Sequence, residues 1–504
     1  MPPSIMNLRW TKISCRRQFL FAFFIGMSGV IVLGGCCRFL PHPRPIAVDS
    51  PPAITLHYRL LDGVQAIPGT NGWRVLRPGG GEGITIGRSD EIRLLQALAT
   101  GWVPESFLVT DGGSKRTTGL GNPGTWPPKI AALRAEHCLQ IQMRRGSELL
   151  CVLKPAPSGP SLPERDRPRL SRFAYLHRVG ARWILESPLS PVRVEPLAPE
   201  IVALLMQGAE TDGTGQHPLW GLLEAAGLAV SGVDAEGTDG KGPLAYWAFH
   251  DQLFHGAALS GRKGIPATGT YRWRGLLDPP PALRPAFSNS FPKVELPVPT
   301  HELLQALQQP LATVLDHRRS RREPSSKGSL DVRQIGAWLY AAARVEWIQP
   351  IPADDDQVTY RPYPSGGARH PLEIYLKVRE CRGLEPGLYH YDPVGNSLQV
   401  VPLSGPRQIE FADWDPLHGG EGPLPPVMVL ITARIGRTAW KYEDIAYRLI
   451  QNDLGGLYQT LYLTATALGL GPCAIGNVDS GLFADITGID DRAEPWIGAL
   501  TLYP

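Results

Sequence analysis

Proline divides this chain into separate units. The stretch from 276 to 302, LLDPPPALRPAFSNSFPKVELPVPTHE, and a shorter one from 153 to 171 are rich in proline. Proline fixes φ and removes a backbone donor, so neither stretch favours a long helix or a central strand. We therefore predict boundaries there. The predicted units are an export segment at 1–45, two small units at 52–155 and 170–275, a proline-rich linker at 276–302 and a larger domain at 303–504.

The charge balance argues against a nucleic-acid partner. The 504 residues carry a formal net charge of +3, and 43% of them are hydrophobic, which is an ordinary globular composition. A nucleic-acid-binding domain normally shows a sustained basic face. This chain instead concentrates arginine locally, in DHRRSRRE from 316 to 323. Seven cysteines without a C-x-x-C pair indicate neither a zinc knuckle nor a dense disulfide framework, and we predict no metal site.

The amino terminus resembles an export signal. Arg16 and Arg17 precede a long apolar run that ends in Leu33-Gly-Gly-Cys36. The paired arginines resemble a Tat signal, and the segment before Cys36 resembles a bacterial lipobox whose cysteine becomes lipidated. The alternative is an uncleaved anchor, because the run approaches the length of a membrane-spanning helix. We predict an exported, membrane-associated protein, or a cytoplasmic one if the signal is not used.

The two small units each combine strand-like runs with a helix-like run. In the second unit, Arg178-Val-Gly-Ala-Arg182 predicts a hairpin turn, and the apolar period that starts at Pro199 predicts a helix. We interpret both units as winged-helix-like modules. They would either dock a peptide or partner, or serve as spacers.

Two further patterns in this half are not expected to bind a ligand. GLGNPG at 119–124 lacks the preceding strand and the following helix that a dinucleotide-binding loop requires. His250 and His255 are five residues apart, so on a helix they do not share a face and make a poor metal pair.

The carboxy-terminal domain alternates between helical and strand periodicity. The predicted elements are a helix in 329–347 behind a Ser329 N-cap, a strand with one buried face at 372–379, a hairpin at 387–401, a central strand at 427–433 and a long helix at 441–471. Gly455 and Gly456 weaken that long helix, which suggests a close backbone approach. Together these elements predict an α+β domain with a mixed sheet flanked by helices.

Five motifs of this domain resemble the nitroreductase superfamily. In order they are RRSRR (318–322), YPSGGARHPLEIYL (363–376), GLYHYDP (387–393), WKYEDIAYRLI (440–450) and ALGLGPCAIGNVDSGLF (467–483). They are most similar to its SagB-type branch, the FMN-dependent dehydrogenases that oxidise azolines to azoles in ribosomal peptide maturation. A weaker similarity covers YWAFHDQLFHGAALSGR at 246–262. The resemblance implies a nitroreductase-like flavin domain, FMN as cofactor and a homodimer.

The resemblance also implies where FMN would lie. The Arg-x-Ser-x-Arg run of the family contacts the phosphate, which corresponds here to Arg318, Ser320 and Arg322, with Arg319 as a further candidate. Arginine suits that position because its planar fork of donors matches a phosphate. A solvated charge run in a linker is the alternative interpretation. Many nitroreductases add a basic residue near the carboxy terminus, and WIGALTLYP does not provide one.

The flavin ring is expected between two glycine-containing segments. Pro364, Ser365, Gly366 and Gly367 form the loop that touches the isoalloxazine in the family, because glycines let backbone amides approach a flat ring. A tight turn before a strand is the alternative. Ile475 and Gly476, in the GPCAIG segment, would flank the flavin from the other side. We expect Cys473 to pack there and not to act as a nucleophile.

Lys441 and Tyr442 are the predicted catalytic residues. Azoline oxidation removes a carbon-bound proton while a hydride leaves for the flavin, so it requires a base beside the ring. In the azoline-oxidising branch a Lys-Tyr pair has that role. The alternative is an ordinary charged residue at a helix N-terminus, where lysine is electrostatically unfavourable.

The substrate and partners are less constrained than the cofactor. The resemblance implies a modified peptide substrate and a cyclodehydratase as a possible partner, although an export signal is unusual for peptide maturation. A general reductase of nitro compounds or quinones that uses NAD(P)H is the second candidate. The third is a membrane-tethered flavin- or peptide-binding protein without turnover.

Overall fold

The computed structural model describes most of the chain after Pro52. The described ranges are 53–77, 83–108, 126–158, 168–207, 217–230, 242–258, 268–287, 291–297, 299–324, 328–414 and 424–504. The described residues belong to one compact unit, Ala53–Pro504. The predicted export segment and the GLGNPG sequence lie outside the described residues.

The amino-terminal half is dominated by β-structure. Its strands are β1 (Ile54–Leu60), β2 (Gln65–Gly69), β3 (Gly72–Leu76), β4 (Ile84–Ile86), β5 (Val103–Pro104), β6 (Leu139–Arg145), β7 (Glu148–Lys154), β8 (Arg169–Leu170), β9 (Tyr175–Val179), β10 (Arg182–Glu186), β11 (Arg193–Pro196) and β12 (Ala229–Val230). Its helices are α1 (Ser89–Thr100), α2 (Glu105–Leu108), α3 (Pro128–Ala135), α4 (Pro199–Gln207), α5 (Leu219–Ala225) and α6 (Phe249–Ala257). The predicted hairpin after Tyr175 and the predicted helix from Pro199 are confirmed.

The two segments that the sequence predicts as separate winged-helix-like units share one sheet. Its strand order is β5-β1-β6-β7-β11-β10-β9, so β7 of the first segment pairs with β11 of the second. In that antiparallel pair Leu153 lies opposite Val194, and both side chains are buried in a single apolar core. The structure does not confirm two winged-helix-like units.

The carboxy-terminal half contains a second large sheet and the long helices. Its strands are β13 (Lys293–Glu295), β14 (Trp347–Ile351), β15 (Asp356–Tyr360), β16 (Leu372–Val378), β17 (Gly387–Asp392), β18 (Ser397–Val400), β19 (Val427–Ala433), β20 (Gly471–Ile475) and β21 (Trp496–Tyr503). Its helices are α7 (His301–Ala306), α8 (Leu311–His317), α9 (Val332–Ala343), α10 (Gln408–Asp413), α11 (Ile435–Ala439), α12 (Ala446–Ala467) and α13 (Ser480–Thr487).

The sheet of this half has the order β13-β18-β17-β16-β19-β21-β20. The predicted central strand β19 lies between β16 and β21, and the predicted hairpin of β17 and β18 is present. The sequence predicts a mixed sheet, whereas neighbouring strands of this sheet pair antiparallel. Parallel pairing among the described residues is limited to an isolated bridge between Asp331 and Arg382.

Helices α9 and α12 pack together against one face of the sheet. Ile335 and Leu339 of α9 and Leu457 of α12 belong to the same buried cluster. The buried Trp338 indole donates to the Leu461 carbonyl at 2.9 Å, so the contact is polar as well as apolar. The N-cap of α9 is Asp331, which forms a capping box, and not the predicted Ser329.

Three predicted element descriptions differ from the structure. Strand β16 is buried on both faces, because the alternating polar side chains find internal partners: Glu373 contacts His390, and Lys377 donates to the Phe411 carbonyl. The long helix begins at Ala446, so 441–445 precede it. The predicted linker 276–302 contains β13, which pairs with β18 at the edge of the sheet.

Candidate active site

The loop that contains Pro364–Gly367 has an unusual backbone. Gly367 has φ of 64°, and two residues with side chains also have positive φ, Ala368 at 56° and His370 at 42°. Such conformations are costly for residues other than glycine and persist only where the surroundings fix them. The loop is therefore held in one conformation by its neighbours.

His370 anchors the end of this loop. Its Nδ1 lies 3.2 Å from the Thr359 hydroxyl, and its Nε2 lies 3.2 Å from the Tyr363 carbonyl oxygen. Burial, followed by the positive charge of Arg361, lowers the pKa of His370 to about 4. The imidazole is therefore neutral at neutral pH, and it donates from Nε2 and accepts at Nδ1.

Asp453 of α12 anchors the start of the loop. The Ser365 hydroxyl donates to Asp453 Oδ2 at 2.5 Å, and the Gly366 amide donates to Oδ1 at 2.9 Å. The Ser365 oxygen also accepts from the His370 amide at 2.8 Å. Burial raises the pKa of the Asp453 carboxyl, and the two hydrogen bonds offset this only in part.

Lys441 and Tyr442 lie against Gly367. A Cβ at position 367 would overlap the Tyr442 hydroxyl and come within 2.9 Å of Lys441 Nζ. Both residues follow the short helix α11, and the Tyr442 amide donates to the Thr438 carbonyl at 2.9 Å. Lys441 and Tyr442 are half-buried. The structure thus brings the predicted catalytic pair together with the predicted glycine loop.

A buried carboxylate fixes α11. Arg369, which follows the loop, and Arg437, which belongs to α11, both donate to Asp356. Each of the two arginines also donates from Nε to the other's carbonyl oxygen. Burial disfavours the charged carboxylate, but the hydrogen bonds from Arg369 and Arg437 hold the pKa of Asp356 below its ordinary value. This pairing ties the loop to the segment that carries Lys441.

The arginine cluster lies beside the other end of α12. The Ser320 and Tyr462 hydroxyls are 2.9 Å apart, and the Arg318 guanidinium lies 5.4 Å from the centre of the Tyr462 ring. Arg319 donates to the Arg318 carbonyl. Burial raises the pKa of the Cys473 thiol, and the positive charge of Arg322 partly offsets this increase.

Within the described residues, the four arginines between 318 and 322 form no ion pair with a carboxylate.

Strand β20 connects this cluster to the predicted glycine segment. The Arg321 amide donates to the Pro472 carbonyl at 3.0 Å, and the Ala474 amide donates to the Tyr462 hydroxyl at 2.7 Å. Ile475 is buried, and Gly476 is exposed at the end of the strand. A Cβ at Gly476 would meet no atom within 4 Å, so this glycine faces open space.

The predicted site residues thus form two groups along one helix. Gly456 of α12 packs against Pro364, and Tyr462 contacts Ser320. Gly456 and Tyr462 are six positions apart, which corresponds to roughly 9 Å along the helix axis. The arrangement provides cations at one end and a narrow glycine loop with an amine and a phenol at the other.

A cavity of about 760 Å³ lies beside this site. Its wall includes Trp440, which precedes Lys441, and the apolar side chains of Trp273, Leu277 and Phe287. Arg284 and Glu494, which are ion-paired at 3.0 Å, also line it.

The comparisons with known proteins agree with this architecture. A model of the nitroreductase family matches residues 315–502. MJ1384, a protein of Methanocaldococcus jannaschii that is named as a nitroreductase, is 32% identical over 167 residues, which cover 33% of this chain and 78% of that protein. This chain belongs to the nitroreductase family.

Other similar proteins are named as an oxidase or as processing proteins. A model of the cyanobactin oxidase ThcOx matches residues 168–264. The trifolitoxin-processing protein TfxB of Rhizobium leguminosarum bv. trifolii is 27% identical over 32% of this chain and 44% of its own length. The microcin B17-processing protein McbC of Escherichia coli is 31% identical over 29% of this chain and 51% of its own length. The chain spans about half the length of these two relatives.

Two solved structures match parts of this chain. A nitroreductase from Ralstonia eutropha matches at 22% identity with a TM-score of 0.33, covering 45% of this chain and 94% of that one. The Escherichia coli microcin synthetase McbBCD complex with truncated pro-MccB17 bound matches at 21% identity with a TM-score of 0.30, covering 49% of this chain and 85% of that one.

The charges of this chain fit the phosphate of a flavin mononucleotide. The arginine cluster supplies cations without carboxylate partners among the described residues, as a phosphate requires. Gly367 has no Cβ, and the Tyr442 hydroxyl and Lys441 Nζ lie where one would be. The first feature suits a phosphate, and the second brings an amine and a phenol to a bare stretch of backbone.

Neither a membrane span nor a metal cluster is found in the described part of the chain. The helices within those ranges are too short or too polar to cross a membrane. The described His, Cys, Asp and Glu side chains form no group of three that could hold a metal ion.

Two site residues were not predicted from the sequence. Asp453 lies three residues after Ile450 and four before Leu457, so all three share the buried face of α12. This helical spacing could have identified Asp453 as a buried carboxylate. Tyr271 contacts Lys441 across 170 residues of sequence, and no local pattern indicates this contact.

Proposed function

We propose that the protein is an FMN-dependent dehydrogenase that oxidises thiazoline or oxazoline rings of a modified peptide to azoles. The observation that carries this proposal is the convergence of the Lys441 ammonium and the Tyr442 hydroxyl on Gly367. The cyanobactin oxidase match and the similarity to TfxB and McbC support a peptide substrate.

The reaction removes two hydrogens from the azoline ring. When bound, FMN supplies the acceptor for the hydride and its electron pair. Lys441, acting as the base, takes the proton from one ring carbon while the hydride leaves the neighbouring ring carbon, and the carbon–carbon double bond of the azole forms between these two carbons. Tyr442 donates from its hydroxyl to a heteroatom of the substrate and so orients the ring. The loop Pro364–Gly367 keeps both groups at one short distance from the substrate.

The arginine cluster would hold the phosphate. Arg318, Arg319 and Arg322 provide charged donors, while Ser320 is oriented by the Tyr462 hydroxyl. Pro364, Ser365 and Gly366 would line one side of the isoalloxazine, with Ile475 and Gly476 on another. We also propose a homodimer, a cyclodehydratase as partner, and export as a lipoprotein through Cys36.

The test begins with the purified full-length protein and a flavin spectrum. The protein should bind FMN and convert a thiazoline-containing peptide to a product that mass spectrometry shows to be lighter by two hydrogens. Lys441→Ala should retain FMN and lose about 10²- to 10⁴-fold in rate, the usual contribution of a general base. Lys293→Ala, which removes a half-exposed lysine of β13, is the matched control and should oxidise like the wild type.

Other outcomes identify the alternatives. A flavin that is bleached by NAD(P)H and reoxidised by a nitroaromatic or a quinone, with no peptide oxidation, would indicate a general reductase. Bound flavin without either reaction would indicate a binding protein. Failure of the protein to take up FMN would refute all flavin-dependent versions, and wild-type oxidation by Lys441→Ala would refute the assignment of the base.

A further inference from the structure

Residues 268–277, which we call the strap, cross the chain at Lys441. The strap lies between the segments matched by the two family models, 168–264 and 315–502, so neither match gives it a role. The amides of Thr270 and Tyr271 both donate to the Lys441 carbonyl, at 3.0 and 3.2 Å. Arg272 pairs with Glu443 at 2.7 Å. The strap is thus attached to the Lys441 backbone and to the side chain of Glu443, the residue after the predicted catalytic pair.

The strap also contacts the functional group of Lys441. Lys441 Nζ lies 5.8 Å from the ring centre of Tyr271 and 5.4 Å from that of Tyr442. Both distances are within the range of a cation–π interaction. Two aromatic rings and the Gly367 backbone therefore surround the ammonium.

The Tyr271 ring is itself held in place. The Arg274 guanidinium lies 4.5 Å from the ring centre, and Asp354 pairs with Arg274. The Trp440 ring meets Tyr271 edge to face at 5.7 Å. Tyr271 also has φ of 50°, a conformation that a tyrosine keeps only where its surroundings determine it.

We propose that Tyr271 is a positioning residue that holds the Lys441 side chain against the Gly367 loop. This inference rests on the proposed role of Lys441 as the base. Tyr271 touches Lys441 and not the reacting atoms, so its effect passes through the lysine. The strap thereby contributes one aromatic ring to the active site.

Three variants distinguish the effect of the Tyr271 ring from the effect of the attachment of the strap. Tyr271→Phe keeps the ring and removes only the hydroxyl. Tyr271→Leu keeps an apolar side chain and removes the π face. Arg272→Gln loosens the strap without changing the ring. Tyr246→Leu, which alters a tyrosine that is 92% exposed, serves as the matched control.

Two measurements are made on the full-length protein. The first is the acetylation rate of Lys441 by trace acetic anhydride, read by mass spectrometry with and without FMN, which does not depend on turnover. The second is the pair of kcat and KM for thiazoline oxidation.

Tyr271→Leu should accelerate acetylation about two- to fivefold, the effect of removing one cation–π contact. It should lower kcat about tenfold or more with KM unchanged, because misplacement of a catalytic group affects the reaction and not substrate binding. Tyr271→Phe and Tyr246→Leu should match the wild type in both measurements, and Arg272→Gln should match it in acetylation.

The inference is overturned if Tyr271→Leu acetylates like the wild type, or if Tyr271→Phe is as impaired as Tyr271→Leu. It is also overturned if Arg272→Gln reproduces the Tyr271→Leu result, because strap attachment would then suffice. Failure of the proposed function gives a different result. A protein that does not oxidise azolines can still show faster acetylation of Lys441 in Tyr271→Leu than in the wild type. A wild-type oxidation rate in Lys441→Ala refutes the role of Lys441 as the base and leaves that difference in acetylation unchanged.

Discussion

At the scale of single residues, Gly367 links the backbone to the chemistry. Its positive φ and the missing Cβ allow Lys441 and Tyr442 to approach the same peptide unit. Glycine is thus needed at this position for two reasons: it adopts the positive φ, and it has no Cβ that would overlap the two side chains. Gly488, by contrast, meets only the first requirement.

Gly367→Ala should separate these two requirements when compared with Gly488→Ala. Gly488 has φ of 72° and no atom within 4 Å of an added Cβ, so both variants carry the conformational cost of about 1–2 kcal/mol. Only Gly367→Ala also displaces Lys441 and Tyr442. We expect Gly367→Ala to lose at least as much free energy of unfolding as Gly488→Ala, measured by urea denaturation, and to lose azoline oxidation, which Gly488→Ala should keep. Equal turnover in the two variants would contradict the close approach.

The sequence predicted the residues of the site better than the residues that hold them in place. The motifs identified Lys441, Tyr442 and the loop Pro364–Gly367, which the structure brings together. Asp453 and Tyr271 were not predicted, because their roles depend on contacts with residues about 90 and 170 positions away. A single sequence contains no record of such contacts, although its helical spacing places Asp453 on the buried face of α12.

At the scale of elements, α12 organises the site. Asp453 and Gly456 contact the loop, and Tyr462 contacts the arginine cluster. The paired glycines of this helix predicted a close backbone approach, and this is confirmed for Gly456, which packs on Pro364. It is not found for Gly455, which has no neighbour within 4 Å of an added Cβ.

Alanine at these two adjacent positions should therefore have opposite effects. Gly455→Ala should raise the free energy of unfolding by about 0.5–1 kcal/mol, because alanine is the better helix former and meets no obstacle. In Gly456→Ala the new Cβ would lie 3.2 Å from Pro364 Cγ, so the loop must shift. We expect this variant to gain no stability and to bind FMN more weakly in a fluorescence titration. Destabilisation by Gly455→Ala would instead show that a second copy covers this face of α12.

Other element-level errors share a physical cause. The alternation of β16 predicted one polar, exposed face, yet Glu373 and Lys377 are buried. Periodicity shows which residues share a face, but not whether that face is covered. Here the cover comes from His390, Arg434 and the end of α10, which belong to other parts of the chain.

At the scale of the whole molecule, the proline-rich segment after the strap packs into the carboxy-terminal domain. Arg284 pairs with Glu494 at 3.0 Å, and the two side chains are 13% and 8% exposed. Arg434 and Arg437 donate to the carbonyls of Pro281 and Pro280. Proline content indicated a lack of regular structure, but it did not indicate that the carbonyls would satisfy buried arginines.

Arg284→Met should therefore destabilise the protein much more than Arg272→Met, although both remove an ion pair to the carboxy-terminal domain. Loss of Arg284 leaves Glu494 buried with only the Tyr375 and Thr432 hydroxyls as donors, which should cost about 3 kcal/mol. The Arg272–Glu443 pair is 47% and 34% exposed, and its loss should cost less than about 1 kcal/mol. Urea denaturation followed by circular dichroism measures both values. Equal small losses would indicate that the segment after the strap only lies on the carboxy-terminal domain and does not stabilise it.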